Sequence, residues 1–283
     1  MTSLDPRVTP ARPDLAAHHL RGKVEAARFT AGKARVVTAG QAPVRREPSP
    51  DAPLDTEALM GEVVTVYDTT EDGWAWGQLA SDDYVGWLPT AALGESTWQP
   101  THKVWVPRTF MFPGASIKLP PICSVPFGAR VAVTGAVERF AILKEGGYIP
   151  GKHLVPLKAV ERDFVEVAER FLGTPYLWGG RTTLGVDCSG LVQAALTAHG
   201  IPCPRDADMQ ERAIGKPIFP NADLSDLERG DLIFWRGHVA IVRDPRTLIH
   251  ANAFHMAVAY EPLHDAIARI RESDGRPTSI RRL

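Results

Sequence analysis

The chain has 283 residues, 44% hydrophobic and 23% charged, an ordinary balance that excludes a wholly disordered protein. Its 32 Lys and Arg nearly cancel 33 Asp and Glu, so no field of one sign recruits nucleic acid or anionic lipid, and small or neutral partners are expected. Single cores cluster near about 100–150 residues, so this length predicts two or three domains.

No window approaches the roughly 18 consecutive apolar residues of a membrane span, and MTSLDPRVTPARPDLAAHHL lacks the apolar core of a signal peptide. Membrane insertion is not expected, and a cytoplasmic location is. Cys123, Cys188 and Cys203 are sparse and without CxxC spacing, which predicts neither a disulfide framework nor a zinc site. Motifs for nucleotides and metals are absent. Gly179 and Gly180 resemble a phosphate loop only superficially, since no Lys-Ser/Thr follows.

In chain order, residues 14–28 (DLAAHHLRGKVEAAR) have helical composition and predict an N-terminal helical segment over 1–30. From 31 to about 156, short apolar runs cut by Pro and Gly, such as VGWLP and RVAVTG, read as small all-β units. Two stretches echo each other, near 48–68 and 113–135: a Pro-led turn, a G-x-x-V-x-V strand, then a Tyr-containing closing segment. Self-similarity of this kind predicts a duplicated β-barrel, over 31–95 and 96–157. Trp74, Trp76 and Trp87 read as its core.

A new domain, 158–283, opens with KAVERDFVEVAERFL, where Val160, Phe164, Val167, Ala168 and Phe171 follow a helical period. A glycine-rich turn, a helix from Asp187-Cys188-Ser189 to a Gly200 stop, and strands LIFWRG, HVAIVR and TLIHAN follow. Helix before antiparallel sheet is an α+β domain.

Cysteine chemistry at neutral pH needs a feature that favours the thiolate. Cys188 stands at a predicted helix N-terminus, where free N–H groups and the helix dipole favour an anion and can serve an oxyanion. Cys123, in a β-rich stretch, and Cys203, between two prolines, read as structural. His238 opens a strand after Gly237, as a general base would, and His250 lies 12 residues on, in the next strand, as a group to orient it. A plain hairpin around Asp244-Pro245-Arg246-Thr247 would pair His250 with Ile241 and put the histidines on opposite faces, so a bulge or register shift is expected. His255 and His264 read as surface or packing residues.

TPYLWGG (174–180), DCSGLVQ (187–193), PRDADMQ (204–210), RGDLIFW (229–235), GHVAIV (237–242) and LIHAN (248–252) together closely resemble the NlpC-type cysteine peptidases of bacterial cell-wall metabolism. The resemblance implies a papain-like α+β domain with a Cys-His-His triad on Cys188, His238 and His250, preceded by tandem bacterial SH3-like barrels. This arrangement is similar to the dipeptidyl-peptidase VI-like branch, γ-D-glutamyl-L-diamino-acid endopeptidases that cut free murein peptides between D-Glu and diaminopimelate or Lys. It implies a murein-derived peptide substrate, recycling inside the cell, and no cofactor or metal; it sets no oligomeric state. Substrate contacts carry over to Tyr176, Asp187 and Ser189, with Asp206 as a further substrate or structural contact. Ala207 stands where the family often has Ser, which removes a hydroxyl contact. Recognition of a free N-terminal L-Ala amine by the first SH3 unit would fall to Glu57, Glu62 or Tyr84, with Tyr84 favoured. Two other readings are an amidase or acyltransferase on the same Cys-His core, and a non-catalytic murein-peptide-binding protein.

Overall fold

The short apolar runs of the first half form strands, because alternation puts every second side chain on one face and Gly or Pro ends each run. In the computed structural model, which describes residues 4–95 and 99–283, these strands belong to a unit spanning Met1–Ala159, and Val160–Leu283 form a second unit. The expected boundary at residue 96 lies outside the described residues.

Seven strands of the first unit make one antiparallel sheet, in the order 54–59, 41–45, 85–89, 74–79, 63–69, 33–37 and 93–95. They share a core that includes Val37, Val44, Val64, Leu79, Tyr84 and Leu88. Residues 102–156 form three smaller sheets around Val104, Val125, Val131, Leu143 and Ile149, a core that Leu59 and Met60 also join. The echo in the sequence has a structural counterpart. Gly61 and Gly128 both take left-handed φ values, +81° and +82°, ahead of strands 63–69 and 130–131. In each half a strand ending in Pro leads into a 3-10 turn, Thr90–Ala92 or Gly151–His153, and then a short strand, Leu93–Glu95 or Leu154–Pro156.

The helix expected over 14–28 does not form. Leu15–Ala17 is a strand paired in parallel with Arg28–Thr30, and the only helical turn between them is His18–Leu20. Helix propensity is a weak preference, and tertiary contacts override it here. Leu15 is fully buried beside Trp76 and Trp87. The Arg12 guanidinium lies 4.4 Å from the centre of Trp76 and 5.0 Å from that of Trp87, and pairs with Asp14 and Asp68.

The second unit carries four helices among the described residues: α1 (Phe164–Glu169), α2 (Cys188–His199), α3 (Ala207–Ala213) and α4 (Leu263–Ser273). α1 is shorter than the helical period of 158–172 predicted. Asp163 starts it by accepting from the Val165 N–H at 2.8 Å, while Glu161 N–H bonds to Ala198 instead, leaving Val160 exposed. α2 stops where expected, at Gly200 with φ +89°. An antiparallel six-stranded sheet runs in the order 216–218, 279–282, 232–235, 238–244, 247–252 and 257–262. α2 packs against strands 238–244 and 247–252; α4 packs Leu263, Ala266 and Ile270 with Trp235, Val242 and Leu248.

Leu88→Ala opens a cavity among fully buried neighbours and should lower the unfolding free energy by about 2–5 kcal/mol, as read by urea denaturation followed by tryptophan fluorescence.

Candidate active site

The local sequence around Cys188 explains its place. Asp187 is extended (φ −96°, ψ 178°) and caps α2 by accepting from Gly190 N–H at 2.7 Å, which makes Cys188 the first helical residue. Gly190 and Gly180 allow the close approach of the preceding loop, since a Cβ on Gly190 would sit 2.3 Å from the Gly180 carbonyl oxygen. The loop is tied to the edge of the sheet through Gly173 N–H to Val258 and Tyr176 N–H to Met256, each at 2.9 Å. The Cys188 sulfur lies 3.9 Å from the Gly237 carbonyl oxygen and takes support from the N–H groups of Val239 and Ser189. The nucleophile candidate thus rests against the backbone on both sides of His238.

His238 begins strand 238–244 after the two-residue turn Arg236-Gly237, with Gly237 at φ +80°, and pairs with Trp235. The expected bulge is present. Asp244 pairs with Thr247, but the register then shifts so that Val242 pairs with Leu248 and Ile241 with Ile249. His250 therefore falls opposite Ala240 rather than Ile241, on the same face as His238. Nε2 of His238 and Nδ1 of His250 are 2.9 Å apart.

The line continues beyond the residues read from the sequence. His250 Nε2 is 2.9 Å from Glu261, which in turn receives two hydrogen bonds from Arg269, at 2.7 and 2.8 Å. Neither Glu261 nor Arg269 was singled out by a motif. The one signal was a carboxylate two positions from Ala259, the strand partner of His250, and hence on its face. Arg205 is a third residue that no motif singles out for a role. It is buried, and its guanidinium grips both oxygens of Asp187 at 2.9 and 2.7 Å and donates to Ser189 Oγ at 2.9 Å.

Burial dominates the electrostatics. It pushes the Cys188 thiol up to about 12, helped by the Asp187 charge and opposed by the nearby N–H groups and Arg205. The helix N-terminus does not by itself hold the thiolate expected from its dipole, because desolvation of the anion outweighs it. Burial, then His250 and Arg269, hold His238 neutral far below its ordinary range. Burial also lowers His250, against the pull of Glu261. For Glu261 burial disfavours the charge, but hydrogen bonds from Arg269 and His250 more than offset it and hold the carboxyl down at about 2. The Tyr176 phenol is pushed up by burial and by Cys188 and Asp187 nearby, so it is a proton donor at neutral pH. A neutral thiol, a neutral imidazole and a phenol donor share one place.

Other expected contacts fall differently. Asp187 and Ser189 face Arg205, and Asp187 also takes the Gly179 N–H at 2.8 Å. Both hold the loop that precedes Cys188. Asp206 starts α3, where its carbonyl accepts from Met209 and Gln210, and Ala207 behind it is buried. Tyr84, expected at a substrate amine, is a core residue of the seven-stranded sheet. Glu57 and Glu62 are buried as well, accepting from Gln41 at 2.7 Å and Leu59 N–H at 2.8 Å.

Residues 44–93 match the bacterial dipeptidyl-peptidase SH3 domain model, and residues 173–271 match the NlpC/P60 family model. The chain is 28% identical over 243 residues to a γ-D-glutamyl-L-lysine dipeptidyl-peptidase of Bacillus cereus (strain ATCC 10987 / NRS 248), covering 75% of this chain and 71% of that protein. A Bacillus subtilis (strain 168) protein of the same name is 29% identical over 199 residues, 65% of each chain. The crystal structure of an NlpC/P60 family protein from Bacillus cereus ATCC 10987 superposes with a TM-score of 0.73 at 20% identity, covering 88% of this chain and 99% of that one.

Arg205→Met leaves Asp187 charged and buried without its partner, and should cost about 3–5 kcal/mol in chemical denaturation. Acid should also destabilise the fold through the two histidines. Their folded pKa values lie below the ordinary 6.5, so at mildly acidic pH the unfolded chain binds more protons. The stability this confers is whole above about pH 6.5 and is lost as pH falls. The urea midpoint should drop between pH 7 and pH 5, and drop less in His238→Gln; equal slopes would show that His238 protonates freely within the fold.

Proposed function

We propose, for a chain that carries a bacterial SH3 region followed by an NlpC/P60 peptidase domain, that it is a cysteine endopeptidase cutting between γ-D-glutamate and the diamino acid of murein peptides. The observation that carries this reading is Cys188 at the start of α2 with its sulfur 3.9 Å from the carbonyl oxygen of Gly237, the residue before His238, and His250 at 2.9 Å behind His238. That is the order nucleophile, base and orienter that acyl transfer requires.

In this mechanism Cys188 Sγ attacks the γ-carbonyl carbon of D-Glu as its proton passes to His238. Because thiol and imidazole are both neutral at rest, the proton moves with the attack. Backbone N–H groups at the start of α2, with the Tyr176 phenol beside the sulfur, stabilise the tetrahedral oxyanion, where each donor is worth about 10²–10³ in rate. His238 then hands its proton to the amine of the diamino acid, which leaves, and the thioester remains. Water attacks the thioester with His238 as base and releases the carboxylate and the free thiol.

The γ-D-glutamyl-L-lysine named for the Bacillus relatives supports this substrate class. We place the reaction on free murein peptides in the cytoplasm, as part of wall-peptide recycling, with the free amine of an N-terminal L-Ala required.

Mass spectrometry of L-Ala-γ-D-Glu-diaminopimelate and its Lys counterpart, with their N-acetylated forms and intact murein, tests this. Wild type should release L-Ala-γ-D-Glu from the free-amine peptides, and Cys188→Ala should release none. Cleavage of acetylated peptides at the same rate would remove the amine requirement. Failure on every substrate would remove the endopeptidase reading.

A further inference from the structure

Behind His250 stand two charged groups that hydrolysis as written above does not use. Glu261 lies on the edge strand 257–262 and is buried; Arg269 comes from the middle of α4. Glu261 Oε2 is 2.9 Å from His250 Nε2 and 2.7 Å from Arg269 Nη2, while Arg269 Nε reaches Oε1 at 2.8 Å.

We propose that Glu261, clamped by Arg269, is a positioning residue that fixes the tautomers of both histidines and so keeps a lone pair of His238 free for the Cys188 proton. This rests on the reading of Cys188 and His238 as nucleophile and base.

Donors and acceptors along the line fix each tautomer. An ionised carboxylate only accepts, so the proton of neutral His250 must sit on Nε2, the nitrogen that faces Glu261. A neutral imidazole has one N–H, which leaves His250 Nδ1 as an acceptor. At 2.9 Å that acceptor requires the N–H of His238 to be on Nε2. Nδ1 of His238 is then a lone pair, the form a general base needs. His250 is 1% exposed, so water cannot readily substitute for any partner in the line.

Arg269 has a separate part. Its two donors engage both carboxylate oxygens, which fixes the rotation of Glu261 and keeps it ionised. A Gln at this position turns its oxygen to Arg269 and its NH₂ to His250. Each tautomer in the line then reverses, and His238 presents an N–H to the thiol.

The test uses the full chain. Nitrogen-15 NMR of the imidazoles at pH 8, assigned with His238→Gln and His250→Gln, should show both rings protonated on Nε2 in wild type. Alkylation of Cys188 by iodoacetamide, read by mass spectrometry of the peptide that carries it, should slow about 100-fold or more in Glu261→Gln that circular dichroism shows to be folded. Glu261→Asp, which keeps the acceptor, should recover part of the rate. A wild-type His250 protonated on Nδ1, or a Glu261→Gln enzyme alkylated at the wild-type rate, overturns the proposal; the wild-type spectrum decides it even if Glu261→Gln fails to fold. His238→Ala separates the two readings. If it alkylates as fast as wild type, the base assignment fails whatever Glu261 does; if it is slow while Glu261→Gln is fast, only the positioning role fails.

Discussion

One extra residue in a β-hairpin underlies the whole site. The register shift between Val242 and Asp244 leaves Arg243 unmatched, and everything toward the open end of the hairpin is turned by one position. Without it His250 would face away from His238. The bulge is held from several sides: Arg229 donates to the Arg243 carbonyl at 2.9 Å, and Arg243 Nε reaches Glu169 at the end of α1 at 2.9 Å. The Arg243 guanidinium also lies 4.7 Å from the ring centre of Tyr260 on the edge strand. These contacts satisfy the polar backbone that a bulge exposes and join α1 and the edge strand to the register of the hairpin.

The second constraint is desolvation. Buried charges in this unit are tolerated where they are matched, as Asp187 is by Arg205 and Glu261 by Arg269. For the Cys188 thiol and the His238 imidazole burial outweighs the neighbouring charges, and both rest neutral. The buried ions therefore serve as fixed struts around a neutral pair. Arg205 ties Asp187, Ser189 and the Gly180 carbonyl into one block under the start of α2. Its positive charge also partly offsets what Asp187 does to the thiol. Position and charge at the nucleophile come from the same few residues.

In the first unit the aromatic face of the seven-stranded sheet is closed by the chain's own N-terminal segment. Trp76 and Trp87 pack with Leu15 and receive the Arg12 cation over their rings, while Asp14 and Asp68 complete the charge. Aromatic surface this large gains from being covered, and a cation is an apt partner for it.

Much of this was legible in sequence because it depends on neighbours in the chain. The start of α2 at Asp187-Cys188, its end at Gly200, and the strands at 232, 238 and 247 each follow from a cap, a glycine or a short apolar run. Even the bulge was implied, since two histidines 12 residues apart around a tight turn cannot otherwise share a face. Residues 14–28 misled because propensity is worth tenths of a kcal/mol per residue, less than burying Leu15 against two tryptophans.

Glu261, Arg269 and Arg205 were invisible for another reason. Their partners lie at 8 to 18 residues' separation or on another strand, and a lone charged residue carries no mark of what it will meet. The sequence by itself determined the elements that bear Cys188, His238 and His250 and marked those three residues as candidates, since each depends on local backbone preference and spacing. Only the tertiary structure decided which charges are buried together, and with them the protonation state of the site, because desolvation depends on what the rest of the chain places around a group.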